Sequence, residues 1–421
     1  MPSLTLKERA ARISEAAKRL SDELKQANFP EPSFELGLPA PLYSDAPDTS
    51  ALRSKQELLY MVDELHSLLT EPVLQLTAQL RNPILSVHPI IRLGIAENFP
   101  AEGTSVQNLA SKLQLSENLV RRLLSHSATY HIYHESSPDY FVHTAASRTL
   151  SENNGMRQWI LIGREETLAG TCQMATTLQE HSFSEEPECC GWSVRNNTHL
   201  PLFQALAGMP ERATTFAEAM RWQSTLPGFS HHYLIEAFPW GPDKQQLTVV
   251  DVGGSVGHVS QALLDHNPHV KCIVQDYPDV VSQGQASLPD AYKSRITFQA
   301  HDFFKEQPVQ GADVYLLRMI LHDWSDKYAI KILQGLIPAL KHGAKVVIND
   351  RVMPGWQEAH YLVEREARDN DMYMLGLLNS RERTAEDWSA LLKGADERFQ
   401  LTTIHQPPQS ALAIVEVTWS G

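Results

Sequence analysis

The chain has 421 residues, of which 42% are hydrophobic and 20% are charged, a composition that supports two or three domains with cores of their own. It carries 36 Lys and Arg against 50 Asp and Glu, and the net charge of −14 disfavours nucleic acids and anionic membranes as partners. The N-terminal segment lacks the apolar stretch of a signal peptide, and no apolar run approaches the roughly 18 residues of a membrane-spanning helix. We therefore expect a soluble, cytoplasmic protein.

The cysteines and histidines give no sign of a disulfide or a metal site. The cysteines are Cys172, Cys189, Cys190 and Cys272. They have neither CxxC spacing nor a Cys/His ligand pattern, and the adjacent pair is poorly placed to form a disulfide. We interpret all four as reduced thiols and expect no metal, because no group of His, Asp and Glu has the spacing of ligands.

Residues 1–81 are predicted to form helices separated by a linker. Apolar side chains recur every three or four residues between Leu4 and Lys25, which is typical of an amphipathic helix. No neighbouring element is expected to cover this stripe, so it needs another surface. The proline-rich segment Asn28–Ser50 is the predicted linker, followed by a helix over Lys55–Leu69 and another that reaches Leu80.

Residues 82–150 have the pattern of a winged helix. An apolar helix is predicted over Pro83–Glu97, and Ser105 and Ser116 are placed to cap the next two helices. The string HIYHESSPDYFVHT then predicts a β-hairpin, the wing, which turns at residues 136–139.

Residues 151–231 are predicted to be mostly linker helices, whereas residues 232–421 alternate short apolar strands with helices. The strands are predicted at LTVVDV, VKCIVQ, ITFQ, VYLLRMIL, KVVI, RFQLTTI and ALAIVEVTW. Short β-branched runs separated by helices are typical of a parallel sheet covered by helices. We expect an α/β fold with a mostly parallel seven-stranded sheet, whose last strand lies antiparallel at the sheet edge.

The strongest local motif is the string VVDVGGSVGH, in which a buried strand passes into a glycine-rich turn and then a helix. Glycines let the backbone approach a ligand closely, and a helix N-terminus offers N–H groups to it. The candidate cofactor-binding residues in this string are Asp251, Gly253, Gly254 and Gly257. The spacing is GGxxG rather than the GxGxxG of dinucleotide-binding proteins, and a purely structural tight turn is the alternative.

Two acids follow the next two predicted strands. Asp276 lies 23 residues after Gly253 and closes the second strand, where a carboxylate can bind the hydroxyls of a ribose. Asp302 follows the third strand, where it can accept from an adenine amino group while Phe303 stacks on the ring. Each acid alone is better explained as solvated surface. Together, in order and at strand ends, they favour an adenosine pocket.

The string RMILHDWSD places His322 after the fourth predicted strand. Open α/β proteins bind ligands at the carboxyl ends of their strands. Histidine is the side chain best suited to accept a proton near neutral pH, and a hydroxyl group must lose its proton as it attacks an electrophile. His322 is therefore a candidate general base. Capping of the following helix is the alternative.

These motifs resemble those of the S-adenosyl-L-methionine (SAM)-dependent small-molecule O-methyltransferases of the plant caffeic-acid and flavonoid type. The resemblance is greater to the fungal polyketide O-methyltransferases, the group of the sterigmatocystin enzyme. It covers nearly the whole chain and is carried by the strings DVGGSVGHVS, QDYP and LHDWSD. It implies a Rossmann-like SAM-dependent methyltransferase fold, an N-terminal winged-helix dimerisation domain, SAM as cofactor, and methylation of a hydroxyl on a small aromatic, polyketide-type molecule.

The resemblance also implies the catalytic residues. His322 corresponds to the general base of the family, and Asp350 and Glu382 correspond to two acids that flank and orient it. An acid bonded to one imidazole nitrogen fixes the tautomer and stabilises the imidazolium. The chain departs from the plant pattern twice. Arg318 stands where plant members carry a lysine near SAM, and Asp350 is one methylene shorter than the plant glutamate.

The acceptor pocket is less well defined by the sequence. By analogy with the family it is lined by Phe203, Met220, Trp222, Met319, Asp323 and Asn379. Apolar and sulfur-containing walls suit a flat aromatic ligand. Packing within a helical core explains any one of the apolar residues equally well.

Two other functions are compatible with parts of the sequence. Winged helices occur in transcription regulators, but the predicted recognition helix over residues 116–127 offers only Arg121 and Arg122 for phosphate contacts. We expect this domain to form a homodimer instead. Relatives that keep SAM but catalyse pericyclic, decarboxylation or hydroxylation reactions are the second alternative. The presence of all three catalytic candidates favours methyl transfer.

Overall fold

The computed structural model of the chain describes residues 4–34, 50–78, 82–241 and 246–421. Most of the predicted linker over Asn28–Ser50 and the predicted helix end at Leu80 lie outside these residues. The chain divides into two compact units. The first comprises Met1–Arg164 and Thr215–Gln223, and the second comprises Glu165–Thr214 and Ser224–Gly421.

The first unit begins with three helices, α1 (Leu6–Gln26), α2 (Ser50–Leu69) and α3 (Pro72–Ala78). A capping box starts α1, because the Glu8 carboxylate accepts from the amide of Thr5 at 2.7 Å and Thr5 Oγ1 accepts from the amide of Glu8. The apolar stripe of α1 buries Leu20 and Leu24 against Ala51 of α2. The expectation that no neighbouring element covers the stripe is therefore wrong for its C-terminal half, because α2 packs alongside α1.

The rest of the first unit combines further helices with a small sheet. These elements are α4 (Ile84–Arg92), α5 (Ile95–Asn98), β1 (Thr104–Ser105), α6 (Val106–Leu113), α7 (Glu117–Ala128), β2 (Tyr133–Ser137), β3 (Tyr140–His143), α8 (Ala145–Glu152) and α9 (Asn154–Ile162). The single helix predicted over Pro83–Glu97 is divided in two, because Gly94 adopts a left-handed φ of 69°. Ser105 and Ser116 cap α6 and α7 through their side chains, as predicted.

The predicted hairpin is present as β2 and β3, and β1 pairs antiparallel with β3. In its turn Asp139 takes a left-handed φ of 61°, and its carboxylate accepts from Arg121 of α7 at 2.6 Å. Apolar side chains from these elements form one core, in which Val106, Leu124 and Phe141 are fully buried. One of the two arginines of the would-be recognition helix is thus engaged by the hairpin turn.

The next part of the chain is mostly helical, as predicted. A π-helical turn at Gly163–Leu168 is followed by α10 (Ala169–Thr171), α11 (Met174–His181), α12 (Gly191–Asn196), α13 (Leu202–Ala207), α14 (Pro210–Gln223) and α15 (His232–Ala237). Buried Glu166 in the π-helical turn accepts from Trp192 Nε1 at 2.6 Å and from Arg212 Nε at 2.8 Å. This cluster fixes the turn against α12 within the second unit.

The second unit is built on a seven-stranded sheet. Its strands are β4 (Leu247–Val252), β5 (Val270–Asp276), β6 (Ile296–Ala300), β7 (Val314–Arg318), β8 (Lys345–Asn349), β9 (Phe399–His405) and β10 (Ile414–Trp419). Their order is β6-β5-β4-β7-β8-β10-β9, and the five strands from β6 to β8 in this order are parallel. The predicted α/β fold with a mostly parallel seven-stranded sheet is confirmed.

The last strand does not lie at the sheet edge, so that prediction is wrong. β10 inserts antiparallel between β8 and β9, and β9 forms the edge. Val415 and Val417 of β10 are fully buried, whereas Gln400 and Thr402 of β9 are exposed. An edge strand leaves backbone groups open to solvent, so the more polar strand of the hairpin occupies the edge.

The remaining helices are α16 (His258–His266), α17 (Pro278–Ser287), α18 (Asp326–Leu336), α19 (Tyr361–Leu378) and α20 (Ala385–Ala395). Alternate residues of β4 enter two separate cores: Val249 packs with Leu263 of α16, and Val250 packs in the cluster that contains Ile332 of α18 and Trp388 of α20. Over the ranges that the structure describes, no helix combines the length and apolarity needed to cross a membrane.

Candidate active site at the carboxyl ends of the strands

The glycine-rich turn joins the end of β4 to the start of α16. Gly253 and Gly254 donate their amides to the carbonyl of Gln275 in β5, at 2.8 and 3.0 Å. Gly253 has a left-handed φ of 73°, and a Cβ on Gly254 would lie 2.5 Å from the carboxyl carbon of Asp251. Glycine is therefore required at both positions, for backbone conformation in one and for space in the other.

Asp251 supports this turn from inside the protein. Its carboxylate is buried and accepts from Ser260 Oγ, in the first turn of α16, at 2.7 Å. Burial raises the pKa of Asp251 to about 6, and the hydrogen bond from Ser260 opposes that shift. The side chain thus fixes the glycine turn relative to α16.

Asp276 ends β5 beside the glycine turn. Its Oδ2 accepts from the amide of Ser255 at 2.9 Å, and its Oδ1 accepts from the amide of Tyr277 at 2.7 Å. Burial raises the pKa of Asp276, and these two hydrogen bonds oppose the shift. Each carboxylate oxygen has a second lone pair, so Asp276 can still accept from a diol at the turn.

Phe303 borders the same turn, because a Cβ on Gly253 would come within 3.9 Å of its ring. The ring packs edge-on against Phe304 and Trp324, with centroid separations of 5.0 and 6.0 Å. Asp302 accepts from the amide of Phe304 at 3.0 Å. The residue predicted to stack on adenine thus lies at the glycine turn.

Arg318 closes β7 and is largely buried. Its guanidinium donates to the carbonyl of Phe229 at 2.7 Å and to Asn349 Oδ1. Burial lowers the pKa of Arg318 to about 10, and the carboxylates of Asp350 and Asp251 oppose that shift. Arg318 therefore stays cationic at neutral pH. Its charge partly offsets the negative charge of these two acids at the carboxyl ends of the strands.

His322 lies in a short 3-10 turn, Leu321–Asp323, directly after β7. Its Nδ1 is 3.2 Å from Glu382 Oε1, and its Nε2 is 3.5 Å from Asp323 Oδ1. The imidazole is thus held between two carboxylates, and the contact with Glu382 favours the tautomer that carries hydrogen on Nδ1.

The charges around His322 favour its protonated form. Burial alone would lower the pKa of His322, but the carboxylates of Asp323, Glu382 and Asp350 outweigh it and raise the pKa to about 10. Burial raises the pKa of Asp323 to about 6, and His322 opposes that shift. One imidazole thus shares a buried site with three acids, an arrangement that stabilises the imidazolium formed when the ring takes up a proton.

Asp350 departs from the expected arrangement. Its carboxylate is fully buried, and within the described residues it makes no hydrogen bond to His322, although the backbone of Leu321 favours its ionised form. Its charge acts on His322, but of the two acids predicted to orient the ring only Glu382 bonds to it. This difference is consistent with the short side chain of aspartate. Burial raises the pKa of Asp350.

Two residues that the sequence did not single out also support the site. Arg383 is fully buried and donates to the carbonyls of Leu321 and Trp324, each at 2.7 Å. Asn349 accepts from Arg318. In the sequence Arg383 is marked only by its place directly after Glu382, since neither hydropathy nor spacing indicates that an arginine will be buried.

The residues predicted to line the acceptor pocket are distributed over both units. In the second unit, Met319 follows β7 with a left-handed φ of 53°, and Phe203 is half-buried in α13. Asn379 ends α19, and its Nδ2 donates to the carbonyls of Ser184 and Glu186 at 2.9 and 3.0 Å. The amide hydrogens of Asn379 are thus engaged by this loop.

The other two predicted acceptor residues, Met220 and Trp222, lie in the part of α14 that belongs to the first unit. The ring of Trp222 packs 6.1 Å from that of Trp159. The structure therefore places Asp323 beside the imidazole of His322, and the roles of all six acceptor residues stay predictions.

Comparison with known proteins defines the family of the chain. Residues 186–397 match the O-methyltransferase domain family. The O-methyltransferase kk1A of Curvularia clavata is 34% identical over 412 residues, which cover 96% of this chain and 94% of that protein. The chlorophenol O-methyltransferase of Trichoderma longibrachiatum is also 34% identical, over 80% of this chain and 73% of its own.

Solved structures share the fold at lower sequence identity. A pericyclic reaction enzyme aligns with a TM-score of 0.75 at 22% identity, over 98% of this chain and 100% of that chain. The structure of LepI in complex with SAM aligns over the same shares with a TM-score of 0.74 at 24% identity. These two likenesses concern the fold alone.

The chain belongs to the SAM-dependent O-methyltransferase family, of the type found in fungal secondary metabolism. It is an enzyme, and its cofactor is SAM. The observed residues fit this cofactor, because the glycine turn places no side chain between backbone and ligand. The carboxylate of Asp276 and the ring of Phe303 border that turn.

Gly254→Ala should weaken SAM binding by about tenfold or more, because an added Cβ would displace the carboxylate of Asp251 and the turn it supports. Isothermal titration calorimetry of the full chain with SAM measures the change. Gly163→Ala is the matched control, since a Cβ there meets no atom within 4 Å. Unchanged SAM affinity in Gly254→Ala would show that the turn does not contact the cofactor.

Proposed function

We propose that this enzyme methylates a hydroxyl group of a small aromatic metabolite of the polyketide type, with His322 as the general base. The observation that carries the proposal is the imidazole of His322 held between Glu382 and Asp323, 3.2 and 3.5 Å away, directly after β7. The carboxyl ends of parallel strands are where α/β proteins bind ligands. The relative from Trichoderma longibrachiatum, which is named for chlorophenol, supports a phenolic acceptor.

In this proposal the cofactor lies along the glycine turn, residues 253–257. When bound, SAM supplies an electrophilic methyl group on its sulfur. Asp276 would accept hydrogen bonds from the ribose hydroxyls, Asp302 would accept from the adenine amino group, and Phe303 would stack on the ring. Arg318 would contribute positive charge near Asp251 and Asp350.

His322 would take up the proton of the acceptor hydroxyl on Nε2. The contact between Nδ1 and Glu382 keeps the hydrogen on Nδ1 and leaves Nε2 to accept. A phenol has a pKa of about 10. The pKa of His322 is raised by the surrounding carboxylates, so transfer of the proton to this ring is less unfavourable than transfer to an ordinary imidazole. Asp323 and Asp350 would stabilise the imidazolium that results.

The part of the acceptor pocket that the second unit contributes in this proposal has apolar, aromatic and amide side chains, namely Phe203, Met319 and Asn379. Because Nδ2 of Asn379 already donates to two loop carbonyls, its Oδ1 is the atom left for the ligand. Asn379 would therefore accept a hydrogen bond from a second hydroxyl of the acceptor.

A non-methylating, pericyclic reaction is the second candidate, and the likeness of the fold to a pericyclic reaction enzyme favours it. A fold shared at 22% identity does not determine the reaction. A pericyclic rearrangement moves no proton to a base, so it does not need an imidazole held by a carboxylate. The pairing of His322 with Glu382 therefore supports methyl transfer.

Incubation with methyl-labelled SAM and a panel of phenols, chlorophenols and aromatic polyketides tests the two candidates. Methyl transfer places the label in the product and releases S-adenosylhomocysteine in equal amount, and mass spectrometry measures both. Conversion of an acceptor without label in the product would rule out the proposed function and favour the second candidate.

His322→Gln should lower kcat by about 10²–10⁴-fold, the usual contribution of a general base. Its SAM affinity should stay within about twofold of the wild type, because the ring acts on the acceptor. In the wild type, kcat should rise as the pH increases from neutral, because the raised pKa of His322 leaves only a small fraction of the base form near pH 7.

Initial rates with two acceptors of different hydroxyl pKa separate the ionisation of the acceptor from that of the ring. His322→Gln should lack the rise that is common to both acceptors. Asp276→Ala is the converse control, since it should weaken SAM binding. Full kcat in His322→Gln would mean that another group is the base.

We propose that residues 1–150 dimerise through a winged-helix domain and the helices before it. In this proposal residues 151–231 contribute to the acceptor pocket, and residues 232–421 form the catalytic domain. Three apolar side chains in α2 and α3 are exposed to solvent: Leu68 by 57%, Leu69 by 63% and Val73 by 69%. Neighbouring exposed apolar side chains are typical of interfaces. The bond between Arg121 and Asp139 argues against DNA binding by α7.

Sedimentation velocity of the full chain should give the mass of two copies. Replacing Leu69 and Val73 together by Glu should shift the species to one copy, because two charges would enter an apolar interface. Phe183→Glu, at a fully exposed position of the second unit, is the control and should leave the mass unchanged. A wild-type chain that sediments as a monomer would contradict the dimer.

A further inference from the structure

Arg383 is a fully buried arginine whose guanidinium reaches three groups around the turn that carries His322. Its Nη1 donates to the carbonyl of Leu321 and its Nη2 to the carbonyl of Trp324, each at 2.7 Å. Its Nε donates to Asp326 Oδ1 at 2.9 Å. The two carbonyls lie on either side of His322 along the chain, so the side chain of Arg383 hydrogen-bonds to the backbone of the turn at two points.

The turn itself is held by long hydrogen bonds. The amide of Asp323 bonds to the carbonyl of Ile320 at 3.2 Å, and the amide of Trp324 bonds to the carbonyl of Leu321 at 3.3 Å. Short 3-10 turns have poor hydrogen-bond geometry. The shorter, charge-assisted bonds from Arg383 are therefore the stronger constraint on the backbone of this turn.

The peptide that carries Arg383 also presents Glu382 to the imidazole of His322. This peptide is anchored on both sides, because the amide of Glu382 donates to Asp371 Oδ1 and the carbonyl of Arg383 accepts from the amide of Met353, each at 2.8 Å. Adjacent residues thus hold the ring of His322 and the backbone of its turn from one fixed segment.

We propose that Arg383 is a positioning residue that sets the imidazole of His322 relative to Glu382 by holding the two carbonyls of its turn. This inference rests on the proposed role of His322 as the base. Arg383 acts through the turn rather than on the acceptor, and a misplacement of about 1 Å in a reacting group can cost about 100-fold in rate. A lysine has a single ammonium group and cannot reproduce the fixed planar set of N–H donors, the fork, of a guanidinium.

Arg383→Lys keeps the charge and removes the fork. It should lower kcat by about 100-fold for the best acceptor of the phenol panel. Its SAM affinity should stay within about twofold of the wild type. Arg381→Lys is the matched control. Arg381 pairs with the same Asp326 at 3.6 Å and is 45% exposed, and within the described residues it has no hydrogen bond to a backbone carbonyl.

The imidazole resonance of His322, assigned by its loss in His322→Gln, is the second readout. Arg383→Lys should move the pH midpoint of this resonance downwards, because a displaced ring loses the stabilising contact with Glu382. Arg381→Lys should leave the midpoint unchanged. Unchanged kcat in Arg383→Lys overturns the proposal, and so does a loss of kcat with an unchanged midpoint, which would indicate a merely structural role.

If Arg383→Lys does not fold, Asp326→Ala decides, because it removes the carboxylate that anchors the guanidinium and so loosens its bonds to the two carbonyls. A smaller downward shift of the His322 midpoint supports the proposal, and an unchanged midpoint overturns it. Failure of the proposed function is seen separately, as wild-type turnover without methyl transfer or full kcat in His322→Gln. The titration of the ring needs no acceptor and can be measured in either case.

Discussion

The contact between His322 and Glu382 is the interaction on which the proposed chemistry depends. Burial disfavours a charged imidazole, but three carboxylates in the same buried site reverse that effect. The 3.2 Å contact from Nδ1 to Glu382 adds direction, because it keeps one nitrogen protonated and leaves Nε2, on the side of Asp323, as the acceptor. Charge thus favours the protonated ring, and geometry fixes the nitrogen that faces Glu382.

The strand order explains why His322 and the glycine turn follow neighbouring strands of the sheet. From β4 the sheet continues to β5 and β6 in one direction and to β7 and β8 in the other. Loops that leave β4 and β7 therefore diverge and open a crevice at the carboxyl end of the sheet. The glycine turn follows β4 and the turn of His322 follows β7. Gly253 and His322 therefore lie at the same end of the parallel strands, although they are far apart in the sequence.

The site concentrates acids in a buried volume and balances them with few cations. Asp323, Asp350 and Glu382 surround one imidazole. Arg318 and Arg383 lie close enough to Asp350 for their charges to interact with it, although neither bonds to it. A buried carboxylate without a salt bridge is costly. The charge of Asp350 favours the imidazolium form of His322, which shares this buried site.

The sequence by itself determined the α/β class, the glycine turn and the position of His322, because these depend on local patterns: short β-branched runs, glycine spacing and residues directly after strands. It did not determine which hairpin strand forms the sheet edge, or that Glu382 rather than Asp350 bonds to the imidazole. Nor did it show that Arg383 holds the turn of His322. Only the tertiary structure decided these points, because they depend on contacts between segments far apart in the chain, which local periodicity does not encode.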